Sequence, residues 1–288
     1  MRHLNYQLKQ LCRNNPDGGF ATQANRHHLL QLAATQLHEL GFHQMLAASI
    51  KPKHVEALLT LWQRQGLTAG TLRNRMSALR WWAAKVHKPA VIARANEHYG
   101  IPPRCQVATS SKARGVAEAA LKQIHDPHVR LSLALQAAFG LRREEAIKFQ
   151  PAYADQGHRL TLKPSWTKGG RARSIPILNE EQRTVLQRAH QLAGKGSLIP
   201  ADRNYIQQLR IYERHTARAG LSKLHGLRHQ YAQHRYQNLT GWPAPAAGGP
   251  TSRALNSTQK EVDRLARLII SQELGHAREQ ITTVYLGR

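Results

Sequence analysis

The sequence predicts a mainly α-helical protein: a helical N-terminal domain, then a mostly helical second domain carrying one small antiparallel β-sheet. Three observations predict this. Apolar residues recur at three- and four-residue spacing along most of the chain. Alternation of apolar and polar residues is confined to two short runs flanking Lys168-Gly169-Gly170. Between about Tyr99 and Gly115, GIPPRCQVATSSKARG breaks both patterns with prolines, small polar residues and cations, the composition of a linker. The expected division is therefore a helical domain over 1–105, a basic linker over 106–115 and a second domain over 116–288.

In chain order, Leu29, Ala33, Leu37 and Leu40 predict a helix from Asn25 to Leu40, stopped by Gly41. Val55, Leu58, Leu59 and Trp62 give a second helix over Lys53–Gln65. Leu72, Met76, Leu79 and Ala83 give a third from about Thr71 to His87. Arg73, Ser77 and Arg80 lie on its flank, a ridge suited to tracking a phosphate backbone or else a solvated cationic face. Trp81 and Trp82 cannot both point inward with equal ease.

Beyond the linker, short helices are expected near 117–124 and 128–139, then Gly140-Leu141-Arg142 leading into a helix with Glu145 and Ile147. HRLTLKPSW and RARSIPI, with Leu160, Leu162, Ile175 and Ile177 alternating, predict a β-hairpin turning at Lys-Gly-Gly. Helices follow over 180–192, 204–219 and from His225 to about Gln237. GWPAPAAGGPTSR is irregular. A last long helix opens at Thr258, with Glu261 completing a capping box, and Val262, Leu265, Ile269 and Ile270 mark its expected buried face.

Charge narrows the partner. Lys and Arg number 42 against 17 Asp and Glu, a net charge of +25, and an excess this large points to a polyanion. Nucleic acid leads, with affinity that falls as salt rises. An anionic membrane surface is disfavoured because the cations are spread over the whole length, not clustered beside an apolar anchor. The apolar run Leu131–Leu141 is too short to span a bilayer. Cys12 and Cys105 form no metal or disulfide pattern, which fits a reducing cytosol. His225 and His229 stand four apart, but Gly226 occupies the place where a zinc protease needs glutamate, so no metal and no cofactor is expected.

A phosphodiester is anionic and its leaving alkoxide poor. Without metal, attack on it needs fixed cations, a nucleophile and a proton donor. Arginine suits the clamp because it is permanently charged and donates two parallel hydrogen bonds. Arg142 and Arg228 are the candidates. Either one, taken alone, reads equally as a surface arginine of a basic protein, and a terminal Tyr285 alone reads as packing.

Four boxes in order change that balance: GLRREE (140–145), TKGGRARSIP (167–176), LHGLRHQYA (224–232) and LGHAREQITTVY (274–285). Together they resemble the tyrosine recombinase, or phage integrase, superfamily over some 150 residues, and the first hundred residues are similar in style to its core-binding domain. The resemblance implies a site-specific recombinase that cleaves and rejoins DNA through a 3′-phosphotyrosyl bond, with no metal or external energy source. Tyr285 would be the nucleophile, Arg142 and Arg228 the clamp on the non-bridging oxygens, and Lys168 the proton donor to the 5′ oxygen. His225 would be the acid/base histidine, His276 a second donor to phosphate, and Glu145 the brace of the first arginine. Further DNA contacts are expected from Lys112, Arg114, Arg171 and Arg173. Implied partners are double-stranded DNA with specific recombination sites, other copies in a homotetramer on DNA formed from a free monomer, and accessory bending or directionality factors. The implied setting is a mobile element in a bacterial cytoplasm, at the nucleoid.

Two other functions fit the same boxes: a recombinase-like protein that holds DNA without cutting, and a type IB topoisomerase-like enzyme that relaxes supercoils. The sequence departs from the family in ending three residues after Tyr285, where many relatives carry a helix that docks on a neighbour. It also carries an insert over 239–256, which would lie on DNA, contact a partner or have no role, a contact being favoured. No arm-binding domain precedes the first helices, so recognition of distant arm sites is not expected.

Overall fold

The computed structural model describes residues 2–103, 107–167, 169–276 and 278–288. The chain forms two compact units, Met1–Cys105 and Gln106–Arg288.

The first unit is built on α1 (His3–Asn14), α2 (Phe20–Glu39), α3 (Pro52–Arg64) and α4 (Ala69–Lys85). The sequence reading had no counterpart to α1, although Leu4 and Leu8 at helical spacing enter the core. α2 starts five residues before the expected Asn25 and buries Leu30, Ala33, Ala34 and Leu37, whereas Leu40 is exposed. Thr68 sets the start of α4 by accepting the Thr71 N–H at 3.3 Å. The two tryptophans of α4 separate as their adjacency demands. Trp82 is fully buried and donates to the Ala47 carbonyl at 2.9 Å. Trp81 lies under the Arg26 guanidinium at 4.3 Å and donates to Asp17 at 2.7 Å. It packs within its own unit.

The second unit contains α5 (Glu118–Lys122), α6 (Pro127–Phe139), α7 (Arg143–Ile147) and α8 (Pro151–Ala154). Then come β1 (Arg159–Leu162) and β2 (Arg173–Pro176), followed by α9 (Glu180–Ala193), α10 (Tyr205–Arg218), α11 (Gly226–Thr240), α12 (Ser257–Glu273) and α13 (Thr283–Leu286). The strands pair antiparallel with Leu160 opposite Ile175 and Leu162 opposite Arg173. Two strands alone are marginal. Here they are held because Leu160, Leu162 and Ile175 enter the main core with Trp166. The connection is longer than the expected tight turn, because Pro164–Trp166 forms a 3₁₀ turn before the glycines.

Two expectations shift. α12 is capped by Asn256 and Gln259, whose side chains bond each other's backbone N–H at 2.9 and 3.0 Å, and not by Thr258 and Glu261. Its buried face is Asp263, Ala266, Arg267, Ile270, Ser271 and Glu273, while Leu265 and Ile269 are exposed. The inward positions are polar because they serve buried ion pairs: Arg267 with Asp263 at 2.8 Å and Arg235 with Glu273 at 3.0 Å. Among the described residues no helix is long and apolar enough to cross a membrane.

Residues 107–115, expected as a linker, belong to the second unit. The Ala108 N–H donates to the Thr283 carbonyl and the Arg114 N–H to that of Gly226. The 239–256 insert folds onto its own unit as well. α11 runs on to Thr240, Ala244 and Ala246 are buried beside the C-terminal residues, and Leu255 is buried.

Candidate active site

The site is organised by one buried carboxylate. α6 ends at Gly140, whose φ of +59° and closeness to α11 exclude a side chain: a Cβ there would lie 2.6 Å from Tyr231 Cδ1. The chain then reverses through Leu141 and Arg142 into α7, carrying Glu145 in its first turn. Glu145 is fully buried. Its Oε2 accepts the Arg142 backbone N–H at 2.7 Å and its Oε1 accepts Arg142 Nη1 at 2.8 Å. Arg173 binds both oxygens from β2, at 2.7 and 2.6 Å, and its Nε donates to the Glu273 carbonyl at 3.0 Å. Burial opposes the charge on Glu145, but Arg173, Arg142 and Arg228 outweigh it and hold the carboxyl at about 2.

Arg173 is thus not a DNA contact but a buried counter-ion, and that expectation is corrected. The physical reason is the hairpin register, which puts residues 173 and 175 on the same inner face.

α11 supplies the second guanidinium. Arg228 is buried, with Nη1 donating to the Gly140 carbonyl at 2.5 Å, Nη2 to the Leu274 carbonyl, and Nε to Tyr285 Oη at 3.2 Å. Arg142 Nη2 reaches the same Leu274 carbonyl at 3.4 Å, so the two guanidinium groups converge. Burial lowers Arg228 to about 10, which leaves it charged at neutral pH. Tyr285 itself is buried on α13, the short helix that follows the Glu279–Thr282 turn.

Three imidazoles surround the phenol ring. His225, His276 and His229 lie with ring centroids 6.0, 5.7 and 4.7 Å from that of Tyr285. Burial first, then the neighbouring arginines, lowers His276 to about 4 and lowers His225. Burial and then His225 lower His229 to about 4. The lowering favours the neutral form of all three rings, and His276 Nε2 is buried with no hydrogen-bond partner. Among the described residues no group of three or more His, Cys, Asp or Glu side chains could hold a metal ion.

The structure therefore brings Tyr285, Arg142, Arg228, His225, His276 and Glu145 together. Lys168 lies outside the described residues. Lys112, Arg114 and Arg171 are exposed in the second unit. In the first unit Ser77 is exposed, but the two arginines beside it are tied down. Arg73 donates to the Pro102 carbonyl and pairs with Glu97 at 3.3 Å, and Arg80 donates to the Ala93 carbonyl and Asn96. They hold the 93–102 segment on α4 and do not form a free cationic ridge.

Sequence reasoning missed Gln233 and His229 as neighbours of Tyr285. Both follow His225 at four-residue intervals, so helical spacing from that histidine carried the signal.

Such a site presents fixed positive charge, neutral donors and a phenol to one anionic centre. A family model described as phage integrase, N-terminal, matches residues 1–89, and one described as integrase matches residues 104–234. Comparison with curated proteins finds no match. Among solved structures, the chain resembles the Tn1549 transposon integrase in complex with circular intermediate DNA, with TM-score 0.58 and 14% identity over 100% of this chain and 96% of that one. The XerH site-specific recombinase bound to palindromic difH substrate, a post-cleavage complex, aligns with TM-score 0.61 and 16% identity over 99% and 81%. A lambda integrase dimer bound to a COC′ core site aligns with TM-score 0.60 and 14% identity over 98% and 94%.

Proposed function

We propose that the chain, which two integrase family models match over residues 1–89 and 104–234, is a site-specific recombinase of the tyrosine recombinase (phage integrase) superfamily of DNA breaking-rejoining enzymes, with Tyr285 as its nucleophile. In this reading Tyr285 Oη attacks the scissile phosphorus. The Oη–P bond forms, the bond from phosphorus to the 5′ oxygen breaks, and a 3′-phosphotyrosyl ester remains. The phenol proton passes to His225, and Lys168 gives a proton to the departing 5′ oxygen. Arg142 and Arg228 hold the non-bridging oxygens as charge builds on them, and His276 donates a further hydrogen bond. Glu145 and Arg173 keep Arg142 in place. Because the ester conserves the energy of the broken bond, rejoining to a second 5′-hydroxyl needs no other source.

The observation that carries this reading is the 3.2 Å contact between Arg228 Nε and Tyr285 Oη, with Arg142 and Arg228 both donating to the Leu274 carbonyl. A packing tyrosine has no need of two guanidinium groups and three imidazoles.

The partner is double-stranded DNA carrying recombination sites, as in the three complexes named above. Assembly into a homotetramer on paired sites, help from DNA-bending or directionality factors, and action at the bacterial nucleoid complete the proposal. The first unit serves as the core-binding domain and the second as the catalytic domain.

Denaturant trapping of protein–DNA adducts on duplexes carrying candidate attachment sites tests it. Wild type is expected to form adducts. Tyr285→Phe is expected to form none while keeping its DNA affinity. A wild type that binds DNA but yields no adduct would leave the holding-only function standing. Relaxation of plasmid of random sequence would favour the topoisomerase-like one.

A further inference from the structure

The segment at the start of the second unit meets the helix of Tyr285 directly. The Ala108 N–H donates to the Thr283 carbonyl at 2.9 Å. Ser111 Oγ donates to Gln233 Oε1 at 2.8 Å, and Gln233 Nε2 donates onward to the Tyr285 carbonyl at 2.9 Å. Contact at the far end of α13 is close enough to exclude a side chain, since a Cβ on Gly287 would lie 2.8 Å from the Ala108 carbonyl oxygen. The Arg114 N–H donates to the Gly226 carbonyl at 3.1 Å, so the same segment is also fixed to the start of α11, two residues before Arg228.

α13 is a single turn. A helix of that length has no stability of its own, so its position is set by tertiary contacts. Arg228 reaches the phenol oxygen and ring, whereas the α13 backbone is held by Ala108 at Thr283, by Gln233 at Tyr285 and by Arg267 at Gly287. Gln233 is buried and its carboxamide is used at both ends, accepting from Ser111 and donating to Tyr285. Such an amide has one orientation that satisfies both partners.

We propose that residues 107–115 clamp the nucleophile's helix, with Ser111 and Gln233 as positioning residues that set the place of Tyr285 through its backbone carbonyl. The proposal rests on Tyr285 being the nucleophile. It goes beyond that assignment in giving the segment at the start of the second unit a role in the chemical step. Ser111 fixes the Gln233 amide, Gln233 fixes the α13 backbone, and the backbone holds Oη at the distance where Arg228 and the bound phosphate share it.

Two readouts test this. Hydrogen exchange of the amides of residues 283–288 in the free full chain needs no DNA. Ser111→Ala and Gln233→Leu are expected to speed it about tenfold, the effect of losing one net hydrogen bond, and Ser111→Thr is expected to restore it. Single-turnover adduct formation, on an attachment-site duplex that wild type cleaves, is expected to slow by about tenfold or more in Ser111→Ala. Its DNA dissociation constant should stay unchanged, and Ser111→Thr should again recover the rate. Ser111 is exposed, so its alanine variant folds even if Gln233→Leu does not. Unchanged exchange in the variants overturns the clamp, as does a rate loss matched by an equal loss of affinity. Absence of any adduct with wild type defeats the assignment of Tyr285 instead, and leaves the exchange experiment to decide the clamp.

Discussion

Removing the charge of Glu145 is the sharpest perturbation the site offers. Glu145→Gln keeps the shape and one acceptor oxygen, but leaves Arg142, Arg173 and Arg228 without their shared counter-ion. The carboxyl is held at about 2 against an ordinary 4.5. At about 1.4 kcal/mol per pH unit, that drop corresponds to about 3 kcal/mol of native-state stabilisation of the charged form. Breaking a buried ion pair by removing one partner costs about 3–5 kcal/mol, so two independent routes give the same size. The sign follows from linkage. The folded state binds this proton less readily than the unfolded chain, so the contribution is fully present above about 4.5 and is lost as pH falls toward 2. Urea unfolding at pH 7 should therefore show Glu145→Gln less stable by about 3 kcal/mol. Between pH 4.5 and 2 the gap between variant and wild type should close. A variant within about 0.5 kcal/mol of wild type at pH 7, the spread of ordinary surface changes, would refute the claim that this carboxylate organises the arginines.

Other consequences are as direct. The His276 ring should titrate near 4 by NMR in the free protein, and addition of duplex DNA should raise it, because a phosphate beside it favours the imidazolium; a midpoint near 6.5 without DNA would contradict its burial among arginines. Gly140→Ala places a methyl 2.6 Å from the Tyr231 ring in a left-handed conformation and should cost about 2 kcal/mol or more in chemical denaturation; a neutral result would mean that the α6 end is free to move. Arg80→Ala should lower the melting temperature through loss of its bonds to Ala93 and Asn96, while leaving the salt dependence of DNA binding unchanged; a shallower salt slope would return Arg80 to the DNA-contacting set.

Much of this was legible in the sequence, and the parts that were not have physical causes. α3 falls within a residue of where its apolar period puts it, and α9 covers the expected 180–192, because each buries one face against a core. α12 misled for the opposite reason. Its inward face carries Asp263, Arg267 and Glu273, so hydrophobic period and burial disagree, and Leu265 and Ile269 are left outside. Arg173 could have been placed from strand alternation alone, since it lies two residues from Ile175; its basic neighbours made it look like surface. Arg73 and Arg80 show the reverse limit, because a cationic ridge on a helix cannot reveal that a later segment, 93–102, returns to use it. The docking of 107–115 onto the second unit was hidden because a polar run following prolines has no periodicity. Its partners, Thr283 and Gly226, lie more than a hundred residues away.

The most direct test of the central claim is the chemical identity of the protein–DNA link. Adducts trapped on an attachment-site duplex, digested with protease and nuclease and read by mass spectrometry, should yield one modified peptide. It should contain Tyr285 esterified to a 3′-phosphate, with a free 5′-hydroxyl on the other side of the break. A link through another residue, or through a 5′-phosphate, would contradict the account.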